Sequence, residues 1–317
     1  MCIDFSKPHD LIGIGATPLD NLLIVNKFPK EREVQKSISS ILSAGGPVST
    51  ALCTASYLGC DASLIDSLGD DIFGKYILED LSKFKVQTNL IKVNINKTSP
   101  SSTILVEKNS GNRAIYYTHG TANELNDITP YIESITSSKI MHINGRHPNI
   151  LSDAINIARQ NGVIVSFDGG ANRYNNITEK FARKSDICIL AKDFADKYTE
   201  ETDPEKALKI IIKKGALLTG ITLGDRGSYL MDKNYKIIYQ QAFKQKTIVD
   251  TTGCGDSYHG GILYSLIHKY DLKDSILIAT AIASMNTQKL GSKGNIPSPI
   301  QLNKFLEERH TYLNRRY

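Results

Sequence analysis

The stretch Ile248–Gly261, IVDTTGCGDSYHGG, sets an apolar end against a glycine-flanked turn and the start of a helix. This reading puts a strand end at TIVD, a turn at TTGCG and a helix from about Gly255, along which Leu263, Leu266 and Ile267 recur at helical spacing. The first-turn amides of such a helix lack intrahelical acceptors and point out of its positive end. Gly253 and Gly255 let an anion approach that backbone closely, which is how phosphate sites are built. Asp256 stands in the same turn, where a carboxylate either stabilises the helix or accepts a proton from a hydroxyl held before the amides. Beside an anion hole the second role suits phosphoryl transfer, which asks a protein mainly for in-line positioning and charge neutralisation.

Outward from this stretch, short apolar runs ending in glycine or polar turns recur: LIGIGAT, ASLIDSLGD, KIMHING, GVIVSFDGG, SDICILA and GALLTGITLG. Their length and β-branched content suit strands buried on both faces. Between them lie helical patterns. In PVSTALCTASYLG, Val48, Ala51, Leu52, Ala55 and Leu58 share a face and Gly59 closes it; NILSDAINIARQNG repeats the device with Gly162. Strand and helix in alternation predict an α/β fold, a mostly parallel central sheet with helices on both faces. Two segments alternate instead like exposed antiparallel strands, EVQKSISSILSAGG and SSTILVEKNSGNRAIYYT, the second with a turn at NSGN. They predict a small antiparallel β lid, with strands from about 33–46 and 90–118, on a single domain spanning 1–317. Such an appendage covers a site, pairs two copies of the chain into a homodimer, or does both.

Composition narrows the class. The 317 residues are 41% hydrophobic and 22% charged with a formal net charge of +5, which fits an ordinary globular α/β chain. The densest basic cluster, ERHTYLNRR, reads as a solvated helix end, so no nucleic-acid partner is expected. Five cysteines without a C-x-x-C pair argue against a disulfide framework or zinc site and for a reducing, cytoplasmic setting. There is no signal-like start, and no apolar run approaches the roughly 18 residues that a membrane span needs.

With DTTGCGD in place, and AGGPVSTALCTASYLG in the N-terminal half, the chain resembles the PfkB/ribokinase family of small-molecule kinases over essentially its whole length. The resemblance implies a ribokinase-like fold and an ATP-dependent sugar kinase using Mg2+, with a small-molecule sugar as partner. It implies that Asp256 is the catalytic base and that the amides around Gly253, Cys254 and Gly255 form the anion hole. Asp20, in GIGATPLD, matches an aspartate that binds substrate hydroxyls, and Gly45 with Gly46 match the pair against which substrate lies. Thr222, Gly224 and Gly227, in GITLGDRGS, match the nucleotide-binding run; Lys192 and Ala283 fall on the ATP side. Asp250 and Thr252 match positions that hold K+ in many members. Within the family, SGNRAIYY, INGRHP and AKDFADKY look most like the ketohexokinase and sulfofructose kinase branch, with Arg113 and Arg146 near the sugar or its anionic tail.

Departures bear on substrate. Thr50 stands where many sugar kinases of the family carry asparagine, and a hydroxyl reaches and bonds differently from an amide. The family's N-x-x-E magnesium motif has no counterpart in ILAKDFADKY, so the metal's ligands stay unassigned. Cys254 replaces an alanine and reads either as an inert buried thiol or as one activated by the helix terminus. His259 reads as a pocket residue or a structural one, and His142 and His147 as structural. A nucleoside or phosphosugar acceptor is the alternative, and a catalytically silent relative the reading from another class.

Overall fold

A computed structural model describes residues 3–109, 113–309, 311 and 313. In chain order its elements are β1 (His9–Ile14), β2 (Leu19–Val25), β3 (Ser39–Ala44), α1 (Pro47–Tyr57), β4 (Ala62–Gly69), α2 (Ile72–Lys83), β5 (Ile91–Asn94), β6 (Ser101–Glu107) and β7 (Arg113–Thr118). There follow α3 (Ile132–Thr136), β8 (Ser138–Ile143), α4 (Pro148–Gln160), β9 (Ile164–Gly169), α5 (Asn176–Arg183), β10 (Ile187–Ala191), α6 (Lys192–Thr199) and α7 (Pro204–Lys213). The last are β11 (Leu218–Thr222), β12 (Ser228–Asp232), β13 (Ile237–Gln240), α8 (Cys254–Ile267), α9 (Leu272–Asn286) and α10 (Pro299–Glu307).

Nine strands form the large sheet in the order β13-β12-β11-β10-β9-β8-β1-β4-β5; it is parallel from β5 to β11 and antiparallel at β12 and β13. Successive residues of its central strands feed opposite cores. Leu11, Leu64, Ile140 and Ile164 join the cluster packed by α1, α2, α8, α9 and α10. Their neighbours Ile12, Ile65, Met141 and Val165 join the cluster packed by α3 to α7. The period-2 alternation of side chains divides each apolar run between two faces, so the strands read as unbroken apolar segments. This is the ribokinase-like α/β architecture that the sequence implies.

The smaller sheet has the order β3-β2-β6-β7, its outer pairs antiparallel and its central pair β2–β6 parallel. It departs from the expected lid in three ways. The window 33–46 contains one strand, β3; in the window 90–118, β5 joins the large sheet while β6 and β7 build the small one. The fourth strand, β2, lies outside both windows, because LDNLLIV packs Leu22 and Val25 inward and loses the alternation of an exposed strand. The NSGN turn falls largely on residues 110–112, outside the described residues. No strand forms at TIVD either: the amides of Val249 and Asp250 donate to the carbonyl of Thr287, just past α9, at 2.8 and 3.2 Å.

Among the described residues, no helix is long and apolar enough to cross a membrane.

Candidate active site

The carboxyl ends of the parallel strands, where open α/β sheets bind ligands, carry the segments singled out in the sequence. β1 runs into GIGAT, β8 into NGRHP and β11 into LGDRG, and Lys192 begins α6 directly after β10. The small sheet supplies Asp20 from β2 and Ser102 from β6, which face each other in register.

On the acceptor side, Asp20 is buried and its Oδ1 accepts from the Ser102 hydroxyl. A Cβ on Gly45 would fall 1.9 Å from Asp20 Oδ2, so only glycine lets the carboxylate lie against this backbone. Burial pushes Asp20 from 3.8 to about 6; the Ser102 bond and the Lys293 ammonium oppose the rise, while Asp256 and Asp250 add to it. These acids and the ammonium therefore share one electrostatic neighbourhood with Asp20. Thr50 is sealed beneath the Gly45–Gly46 pair at 0% exposure, and its hydroxyl has no hydrogen-bond partner among the described residues. The structure does not bring it to an open surface.

On the phosphate side, helix α8 begins at Cys254 with no side-chain cap, behind Gly253 at φ 73°. The turn needs glycine twice over: φ is left-handed, and a Cβ there would meet the Ser292 carbonyl oxygen at 2.4 Å. A Cβ on Gly255 would meet nothing within 4 Å, so the flank of this first turn is open and unpacked. Burial, reinforced by the negative charge of Asp168, holds Asp256 well above the ordinary carboxylate range; Arg173, His259 and Arg113 pull it down. Burial and the neighbouring Asp250 and Asp256 push the Cys254 thiol up to about 12, which favours the inert reading of this cysteine.

Behind Asp256 lies a polar cluster that the sequence did not disclose. His259 Nε2 stands 3.2 Å from Asp168 Oδ1, and its ring centre is 5.5 Å from that of His142. His142 Nδ1 lies 3.1 Å from Ser166 Oγ. Although burial opposes it, the His259 charge and hydrogen bond keep Asp168 below the usual carboxylate range. Burial, with His259 nearby, pushes His142 down to about 3. The available signal was positional: Asp168 closes the buried run VIVSFD at a carboxyl strand end, and Arg173 follows five residues on.

The remaining candidates fall in three places. Arg113, at the start of β7, donates from Nη1 to Thr252 Oγ1 at 3.4 Å, so the small sheet touches the turn before α8. Arg146 donates to Tyr117 OH at 2.7 Å on the wall of a cavity of about 280 Å³, also lined by Ala16, Asp66, His119, Glu124 and His147. In that wall His147 bridges Asp66 at 3.1 Å and Glu124 at 2.9 Å. Thr222 ends β11; Gly224 and Gly227 bracket the turn after it; Lys192 pairs with Asp196 on its own helix; Ala283 packs half-buried on α9.

Asp250 Oδ1 accepts from the Thr252 amide and hydroxyl at 2.9 and 2.7 Å, and Oδ2 from the Gly291 amide at 2.9 Å. Both Asp250 oxygens thus accept from donors of this chain. Among the described residues no group of three His, Cys, Asp or Glu side chains could hold a metal. A magnesium ion held mainly by nucleotide phosphates and its own waters takes one or two protein carboxylates and needs no such group.

Comparison with known proteins bears on the fold and the family. The chain is similar to a ribokinase of Dictyostelium discoideum, 27% identical over 319 residues, covering 93% of this chain and 99% of the relative. It is similar also to a nucleoside kinase of Methanothermobacter thermautotrophicus, 24% identical over 296 residues, covering 92% and 94%. The solved structure of Arabidopsis thaliana ribokinase complexed with ribose and ATP matches with a TM-score of 0.79 at 21% identity, covering 94% of this chain and 99% of that one, a likeness of fold. The model of the family described as pfkB family carbohydrate kinase matches residues 9–299, from the first residue of β1 to the first residue of α10. The chain belongs to the pfkB family of carbohydrate kinases.

Proposed function

We propose that this protein transfers the γ-phosphoryl group of ATP to a hydroxyl of a small sugar. The observation that carries the reading is the start of α8, which has no side-chain cap and is unpacked at Gly255, with a carboxylate of raised pKa in its first turn. Asp20, beside Gly45 and Gly46, binds acceptor hydroxyls and orients the one that reacts. Asp256 takes the proton of that hydroxyl as its oxygen bonds to the γ-phosphorus; the bond from phosphorus to the β–γ bridging oxygen breaks, and ADP leaves. The first-turn amides around Gly253, Cys254 and Gly255 stabilise the charge on the transferring group. Thr222, Gly224, Gly227 and Lys192 face the nucleotide. Magnesium, bound with the nucleotide, would neutralise phosphate charge.

Two features bear on the acceptor. Arg146 and Arg113 favour a sugar with an anionic group, in line with the ketohexokinase and sulfofructose kinase branch. A nucleoside acceptor is the second reading, because Tyr117 and His119 line the cavity with ring centres 4.9 Å apart and offer aromatic faces to a base. The small sheet acts as a lid, supported by the Arg113–Thr252 contact. Its exposed Leu42 and Tyr116, on one face, support a homodimer through the same sheet.

The test is ADP release from ATP and Mg2+ over ketohexoses, pentoses, phosphosugars, sulfosugars and nucleosides, with Asp256→Asn in parallel. Acceptor-dependent turnover is expected, falling at least about a hundredfold in the variant, the range of general-base loss. Turnover untouched by the variant would assign the base elsewhere; none with any acceptor would favour a silent relative.

A further inference from the structure

Lys293 is 6% exposed, an expensive place for an ammonium. Its Nζ lies 3.1 Å from Asp80 Oδ2, donates to the carbonyl of Ala44 and stands 5.5 Å from the centre of the Phe84 ring. Asp80 Oδ2 also accepts from the Ala44 amide at 2.9 Å. One buried ion pair thus grips both backbone groups of Ala44, the last residue of β3, and the next two residues are Gly45 and Gly46.

Lys293 belongs to a loop between α9 and α10 in which three consecutive residues reach three different parts of the site. Gly291 donates to Asp250 Oδ2 at 2.9 Å. Ser292, its carbonyl held by Asn286 Nδ2 at 2.8 Å, packs so tightly under Gly253 that a Cβ there would lie 2.5 Å from its Cα. Lys293 reaches Ala44. Three residues span at most about 10 Å of chain, so the bridge between the two glycine turns is short and held at every position.

We propose that Lys293 is a positioning residue: with Asp80 it ties the Gly253 turn to the Gly45–Gly46 pair, so that filling the anion site orders the acceptor site. The proposal rests on the roles given to the two turns above. A buried ion pair is weak evidence for stability, since apolar residues of the same volume often serve as well. An ammonium directed at one carbonyl fixes distance and direction, which an apolar contact does not. The dependence is reciprocal, so an ordered acceptor site also favours nucleotide.

Hydrogen–deuterium exchange with and without ADP and Mg2+ tests this on the full chain and on Lys293→Met/Asp80→Asn. The double variant leaves no unpaired charge and keeps an acceptor for the Ala44 amide, whereas Lys293→Met alone strands a buried carboxylate; circular dichroism checks that the fold is retained. In the unaltered protein the nucleotide should slow exchange in residues 251–258 and also in 44–50, the latter about fivefold or more, the lower end of the usual span of coupling between sites. In the double variant the effect at 251–258 should persist and that at 44–50 disappear. Slowing at 251–258 alone in the unaltered protein, or equal slowing at 44–50 in both proteins, would overturn the role of Lys293. No slowing at 251–258 in either protein would overturn the nucleotide-site reading, and the proposal with it.

Discussion

Asp20 and Asp256 are both carboxylates that burial makes harder to ionise, and the roles proposed for them, binding a hydroxyl and accepting its proton, need both ionised. The acid limb of kcat/KM is therefore expected near pH 6, the value to which Asp20 is raised, rather than near 4, and steep because Asp256, raised as well, titrates within it. Asp168→Asn removes a negative charge that raises Asp256, so the limb should become shallower and be left to Asp20; an unchanged slope would show that Asp168 does not act on the base. The stability effect of Asp20 has a definite sign. Its folded-state value lies above its ordinary 3.8, so the folded chain binds its proton more tightly and loses stability as pH rises from about 4 to 6. Asp20→Asn should then stabilise the fold by about 3 kcal/mol in urea titrations at pH 7.5, give little gain at pH 4, and abolish acceptor binding. The Gly253 turn was legible because glycines and an acid before a helix leave a local signature, whereas Asp20 and Gly45 were legible only through the resemblance to the family. Lys293 was not: its partner Ala44 lies 249 positions away, and nothing in GSKGN marks that lysine for burial.

Elements with strong periodicity could be read closely. Helix α1 was expected in PVSTALCTASYLG and runs Pro47–Tyr57, with Gly59 at φ 121° just past its cap; α4 closes before Gly162 at φ 69°. β2 was harder, since an acceptor-binding aspartate inside an apolar run gives no sign of which sheet the run joins. The start of α4 is held in a way no local pattern shows, through His147 bridging Asp66 and Glu124. Burial disfavours its charged form, yet the hydrogen bonds it donates to Asp66 and Glu124 win and raise it from 6.5 to about 9. A raised histidine contributes stability that is complete below about pH 6.5 and is lost as pH climbs to about 9. Discounting for the half-exposed Glu124, roughly 1–3 kcal/mol should disappear over that window. His147→Gln should flatten the difference in thermal unfolding curves taken at pH 6 and 9.

For the whole molecule, apolar surface on the small sheet bears on assembly. Leu42 is 47% exposed and Tyr116 70%, and the two share one face of the sheet, in the row Leu42–Asn21–Thr103–Tyr116. Light scattering is expected to give twice the 35.0 kDa chain mass, and Leu42→Lys to return the monomer; a monomer in the unaltered protein would leave the sheet as a lid alone. The strand order of the large sheet has a consequence in time. β1 lies between β4 and β8, so it keeps one edge open until residue 138 emerges from the ribosome. At ordinary elongation rates that wait is roughly 6–25 s, during which a nascent apolar strand has no second neighbour. The Gly253 turn comes later still, and the loop that supports it, around Ser292, after that. The growing chain thus exposes an unpaired strand edge while everything between β1 and β8 is made, which makes capture of that stretch by chaperones the natural consequence of this topology.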